Sequence, residues 1–210
     1  MNTKPKFIVL DGMDGSGKGT QLKLLREYFE ANNIPHYFTR EPGGSPDAEK
    51  IRERVLSDAS LSTQERFDLM WESRALHINQ TVLPALEVGK IVVSDRFDSS
   101  TWAYQIYGEE NTQLIESFKV LRARLITKAC PPDLYVFFDL DPSVSRSRVM
   151  DANKPDQNFL DAKPLDFYTR VRAGFKEFAS QHNAILVPAD QSPEQVFEAM
   201  LQGLREKGIV

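Results

Sequence analysis

Residues 12–20 read GMDGSGKGT. The stretch follows an apolar run at 7–10 and opens a segment of helical periodicity at 18–32. It fits the pattern Gly-x-x-x-x-Gly-Lys between a strand and a helix. In that pattern, glycines let backbone N–H groups turn inward around a β-phosphate, the helix N-terminus adds its positive end, and the lysine reaches the β and γ oxygens. Gly12, Met13, Asp14, Gly15, Ser16, Gly17, Lys18, Gly19 and Thr20 are therefore expected to cradle a nucleotide's phosphates, with Lys18 in a catalytic role. A glycine-rich turn without a ligand is the competing reading, and the flanking strand, the helix and the lysine all weigh against it.

Working outward, apolar runs of strand length recur at 36–39, 91–94, 134–140 and 184–188. Helical patterns fill the intervals at 47–57, 63–87, 112–128, 164–181 and 193–207. Near-continuous apolar strands alternating with helices predict an α/β fold, a five-stranded parallel sheet with helices on both faces in three layers, as in P-loop NTPases. Ligands of such sheets bind beyond the carboxyl ends of the strands. The polar segment at about 150–163 reads as a lid over that edge, and Phe167, Phe175 and Phe178 mark a helix face that packs on the sheet.

The 210 residues contain no Gly/Ser-rich or Pro-rich linker, so a single domain over 1–210 is expected. With 26 Lys+Arg against 30 Asp+Glu, the net charge of −4 offers no footprint for a nucleic-acid backbone. The lone Cys130 can form neither an internal disulfide nor a cysteine zinc site, and His36, His77 and His182 lack metal-ligand spacing and read as ordinary side chains. No run approaches a membrane span, and MNTKPKF at the N-terminus has no signal character. A soluble cytoplasmic protein is the expectation.

Four further segments sit at strand ends or face them: Thr39-Arg40-Glu41-Pro42-Gly43-Gly44, Arg74 within a long helix, Ser94-Asp95-Arg96-Phe97, and Ser99-Ser100 with Ala103-Tyr104-Gln105. Together with the first they resemble the thymidylate kinase family, whose motifs here read GMDGSGKGT, REPGG, SDRF and SSTWAYQ in that order and spacing. The resemblance spans the chain from the first strand to the last helix. It implies ATP as phosphoryl donor, Mg²⁺ as cofactor, dTMP as acceptor, and a homodimer with the helix around Arg74 near its interface.

By that resemblance Arg40, Arg74 and Arg96 hold the acceptor's monophosphate, for which guanidinium forks are chemically suited. For Arg74 the alternative is an ion pair with Asp68 or Glu72. Asp95, ending an apolar strand, orients Arg96, helps hold the metal, or both. Asp14 is expected to meet the acceptor's 3′-hydroxyl, or else to cap the helix entry. Tyr104 crowds the ribose 2′ position in this reading, with a core tyrosine as the alternative. Where relatives stack thymine on a phenylalanine this chain has Met70, and Trp71 is the other candidate for the stack. Thr101 is placed to bond a pyrimidine edge, and Ser100 and Gln105 complete the acceptor set.

Two departures from family pattern shape the remaining expectations. Gly19 stands where a magnesium-binding hydroxyl is usual, and the hydroxyl arrives one residue later at Thr20. GKGT is the form seen in adenylate kinases. The ion is then held partly through water by carboxylates, with Asp14 and Asp95 the principal candidates and Asp11 a third. At Gly15 the loop has no arginine, and such relatives carry arginines in the lid. Here the lid offers Lys154 and Lys163, with Arg146 and Arg148 leading into it, so Arg148 is the proposed bridge to the transferring phosphoryl. A solvated helix face is the alternative for Arg146 and Arg148.

Overall fold

In the computed structural model, which describes residues 5–151 and 163–210, five parallel strands form one sheet in the order β2-β3-β1-β4-β5. They are β1 (Phe7–Gly12), β2 (His36–Arg40), β3 (Ile91–Asp95), β4 (Leu134–Asp139) and β5 (Ala184–Pro188). Helices α1 (Lys18–Ala31), α2 (Pro46–Ser57), α3 (Thr63–His77), α4 (Leu83–Glu87), α5 (Asp98–Ser100), α6 (Ile115–Arg122), α7 (Pro142–Asp151), α8 (Leu165–Gln181) and α9 (Pro193–Glu206) cover both faces. This is the expected α/β arrangement.

Strand β1 lies between β3 and β4, with Leu10 paired to Asp95 and Val136, and every one of its residues is buried. That explains its unbroken apolar run, since a central parallel strand has no solvent face on which to alternate. Phe167, Phe175 and Phe178 of α8 are buried, and the last two pack on Tyr135 and Phe137 of β4 with ring centroids 5.2 Å (Tyr135–Phe178) and 5.5 Å (Phe137–Phe175) apart. Burial stabilises each such ring by about 1.5–3 kcal/mol. Helix α3 starts with a capping box, in which Ser62 and Glu65 satisfy each other's backbone N–H groups, and Ser192 with Gln195 does the same for α9.

The pattern at 63–87 predicts one helix, and the structure has α3 and α4 joined end to end by a π-helical turn, Ile78–Val82. The wide turn comes just before Pro84, which has no N–H to give to the preceding turn and whose ring needs room there. A second departure lies between β3 and residue 112, where no helix is expected from periodicity. There α5 runs into a π-helix, Thr101–Gly108. Nearly all of its residues are buried, so it has no solvent-exposed side, and its polar residues Thr101, Tyr104 and Gln105 turn to the site instead. The expected lid at about 150–163 falls mostly outside the described residues, Lys154 with it.

Candidate active site

All five strands point their carboxyl ends at one edge of the sheet, and the glycine loop leaves β1 there. Gly12, Gly15 and Gly17 have φ of 145°, 76° and 88°, a region that side chains rarely adopt. At Gly15 contact closes the matter as well, since a Cβ would lie 2.7 Å from the Ser145 carbonyl of α7. Lys18 begins α1 and curls back, its Nζ donating to the Gly12 and Met13 carbonyls at 2.9 and 3.1 Å. Burial, reinforced by the nearby Arg96 charge, lowers the Lys18 pKa against the pull of Asp14, Asp95 and Asp11.

Arg96 ties this loop to the end of β3. It has a φ of 68°, a left-handed conformation unusual for an arginine and of the kind that clusters at functional sites. Its Nη1 donates to Asp11 Oδ1, the Gly12 carbonyl and Ser100 Oγ, and its Nη2 donates to Asp14 Oδ1 at 2.6 Å. Burial opposes its charge, but Asp14 and Asp11 outweigh burial and raise its pKa well above the usual value. Asp11 is wholly buried and accepts also from Ser99, Ser100 and the Gly12 N–H, and burial still leaves its pKa raised. Asp14 sits nearer solvent. Burial pushes its pKa up, but the Arg96 and Lys18 charges, with hydrogen bonds from Tyr104 and Arg96, bring it down to about 2.

Tyr104 closes the loop from the other side. Its hydroxyl donates to Asp14 Oδ2 at 2.9 Å and accepts from the Asp14 N–H at 3.2 Å. The buried π-helix thus presents Tyr104 to the glycine loop, while α5 before it supplies Ser99 and Ser100 to Asp11. Asp98, the first residue of α5, is itself fixed by Arg122 at 2.7 Å and Tyr135 at 2.8 Å.

Beside the loop opens a cavity of about 610 Å³. The structure brings Asp14, Arg40, Met70, Asp95, Arg96, Ser100, Thr101, Tyr104 and Gln105 of the expected set to its wall. Two expected residues stand behind it. Trp71 is in the core, edge-on to Phe67 and Phe118, so of the two candidates for a stacking partner only Met70 faces the cavity. Arg74 is wholly buried beneath the wall, with Nε on Glu41 and Nη2 on the Phe97 carbonyl and Thr101 Oγ1. The three arginines therefore do not form one free cluster: Arg40 is exposed and paired with Glu49, Arg96 is locked to the loop, and Arg74 supports Thr101. The partners weighed for Arg74, Asp68 and Glu72 of the same helix, give way to Glu41 from the loop after β2.

Arg52 and Arg66 also line the cavity and went unread in the sequence. Arg52 donates to the Pro42 carbonyl at 2.7 Å; Arg66 donates to the carbonyls of Val55 and Asp58. A signal for Arg52 did exist, because Ala48, Arg52 and Val55 are spaced four and three apart and share the inner face of α2.

As to metal, no group of three or more His, Cys, Asp or Glu that could hold an ion occurs among the described residues. The ion would then take most of its ligands from phosphate oxygens and water, which is the habit of magnesium. Of the two principal carboxylates, Asp14 has both oxygens engaged by Arg96 and Tyr104, which leaves it fewer free lone pairs for an ion or its water. Asp95 instead has a buried Oδ1 with no hydrogen-bond partner, and it fits. Exposed Arg148 donates to the Gly15 carbonyl at 3.2 Å, Lys163 lies 3.8 Å from Glu109, and Thr20 is exposed on α1.

The thymidylate kinase family model matches residues 10–200. A thymidylate kinase of Carboxydothermus hydrogenoformans is 38% identical over 204 residues, covering 95% of this chain and 98% of that one. One of Finegoldia magna is 36% identical over 211 residues, covering 97% and 100%. A crystal structure of thymidylate kinase from Ehrlichia chaffeensis has a TM-score of 0.74 at 29% identity, covering 95% of this chain and 98% of that chain.

Proposed function

The chain belongs to the thymidylate kinase family, and from that premise we propose that its edge-of-sheet site moves the γ-phosphoryl of ATP onto dTMP, releasing dTDP and ADP. The carrying observation is that Asp14 serves two sites at once. It is part of the glycine loop and lines the neighbouring cavity, where Arg96 and Tyr104 hold its carboxylate in one orientation.

In this reading the loop's N–H groups and Lys18 bind the β and γ phosphates of ATP. Arg96, with exposed Arg40 and half-buried Arg52, binds the acceptor phosphate across the cavity. Phosphoryl transfer asks little covalent chemistry of a protein, so positioning and charge stabilisation supply most of the rate. Arg96 suits both tasks, because its fork is already fixed by Asp11, Asp14 and Ser100 and does not reorganise as charge develops. Asp14, held at the cavity wall, meets the acceptor sugar, Tyr104 crowds its 2′ side, and Met70 with Thr101 meets the base. Asp95 has a carboxylate oxygen that it would offer to magnesium or to the ion's water, and the ion would supply charge neutralisation at the phosphates. Arg148, beside Gly15, is the proposed cation for the transferring group.

We place this single-domain enzyme in the cytoplasm, with its nucleotide substrates, as a homodimer. A coupled ADP-release assay over dTMP, dCMP, dAMP and AMP tests the assignment. The kcat/KM for dTMP should exceed the others by about 10² or more, the discrimination that a site built to hydrogen-bond a base can supply. Another monophosphate turning over faster would replace dTMP as acceptor, and ATP binding without any dTDP would leave a nucleotide-binding protein.

A further inference from the structure

Behind the cavity wall lies a second polar chain. His77 is wholly buried, with Nδ1 3.0 Å from Glu41 Oε1 and Nε2 2.8 Å from Thr39 Oγ1. The other Glu41 oxygen accepts from Arg74 Nε at 2.8 Å, and Arg74 Nη2 donates to Thr101 Oγ1 at 3.2 Å. The chain runs from the end of β2 through α3 to the π-helix that carries Tyr104. Two of its members, Glu41 and Thr101, line the cavity.

A carboxylate can only accept, so the hydrogen between His77 and Glu41 sits on Nδ1, which fixes the ring's orientation; the Thr39 hydroxyl can serve Nε2 in either sense. A glutamate's terminal torsion is intrinsically broad, and one partner alone would leave the Glu41 carboxylate free to rock. His77 removes that freedom by taking the second oxygen. The ring is confined in turn, because the Gly44 backbone approaches so closely that a Cβ there would lie 2.7 Å from His77 Cδ2. Stakes at this spot are high. Arg74 is a fully buried cation whose Nη1 has no hydrogen-bond partner, its guanidinium lies over the Trp71 and Phe97 rings, and Glu41 is the carboxylate that holds it.

We propose that His77 is a positioning residue for the acceptor. By fixing the plane of the Glu41 carboxylate it sets the Arg74 guanidinium and, through it, the Thr101 hydroxyl at the cavity wall. This rests on the reading that the cavity takes the acceptor nucleotide.

Steady-state kinetics on three variants test it. H77L removes both ring nitrogens, H77N keeps an N–H near the Nδ1 position, and T39V cuts the far end of the chain without changing side-chain size much. H77L should raise the KM for dTMP about tenfold, the effect of losing a hydrogen bond to a charged group, with the KM for ATP within about twofold. H77N should recover most of that loss, and T39V should shift the dTMP KM in the same direction by less. An unchanged dTMP KM in H77L, equal rises for both substrates, or H77N no better than H77L at matched melting temperature would each overturn the proposal. If H77L does not fold, T39V decides, and an unchanged dTMP KM there overturns it. Wild-type turnover of dTMP is measured alongside: its absence would sink the assignment of function, while an active wild type with unaffected variants would sink only the role of His77.

Discussion

Arg96 donates to Asp14 across 2.6 Å, joining the end of β3 to the glycine loop that leaves β1. The pair is sheltered on one side by Tyr104, whose ring centroid lies 5.2 Å from the guanidinium. One arginine thereby holds the glycine loop, the fully buried Asp11 and the wall of the neighbouring cavity in a single geometry.

Substituting lysine for Arg96 keeps the charge and loses the fork. A lysine cannot reach Asp11, Asp14, the Gly12 carbonyl and Ser100 together, so R96K should lower kcat/KM for dTMP by about 10³, or about 4 kcal/mol of transition-state stabilisation. Kinetics on the purified variant check this. Retention of more than a tenth of the wild-type value would show that charge, rather than orientation, is what Arg96 contributes.

The depressed pKa of Asp14 carries a stability consequence of definite sign. Its folded value of about 2 lies below the ordinary 3.8, so the charged form stabilises the fold at pH above about 4, and that contribution is lost as pH falls through about 2. The shift corresponds to about 2 kcal/mol. Urea unfolding of wild type and D14N should therefore differ by about that amount at pH 6, with the gap closing toward pH 2. A gap that did not depend on pH would place the effect in packing instead.

Asp95 separates stability from activity. Its buried Oδ1 lacks a hydrogen-bond partner, a cost that the nearby Lys18 and Arg96 charges offset and that a bound cation would offset further. Because the lost attraction to Lys18 and Arg96 opposes the relief of the unpartnered oxygen, D95N should melt within a few degrees (~3 °C) of wild type in metal-free buffer while needing about tenfold more magnesium for half-maximal rate. A magnesium dependence identical to wild type would remove Asp95 from the ion's surroundings.

The GMDGSGKGT stretch was legible because its chemistry is local. Strand, glycines, lysine and helix are consecutive, and each is required by backbone geometry that Gly15 and Gly17 display. Strands β1, β3 and β4 were legible for a similar reason, since burial on both faces writes a continuous apolar run into the chain, while the partly buried edge strands β2 and β5 were marked by their β-branched and aromatic residues. The 98–108 segment was not, because a helix buried all round has no solvent-exposed face of charged residues to mark it.

By itself, then, the sequence determined the parallel α/β frame, the phosphate loop and the set of strand ends where chemistry gathers, all of them consequences of periodicity and of short-range backbone geometry. Tertiary structure alone decided how the charged side chains divide their work. Arg74 is given to Glu41, 33 residues away in sequence, and Trp71 to the core, while Arg52 and Arg66 come to the cavity wall. Histidine 77 becomes a link between Thr39 and Glu41. The physical reason is that a buried charge takes whichever partner the packed chain brings within about 3 Å, and no local pattern records that distance.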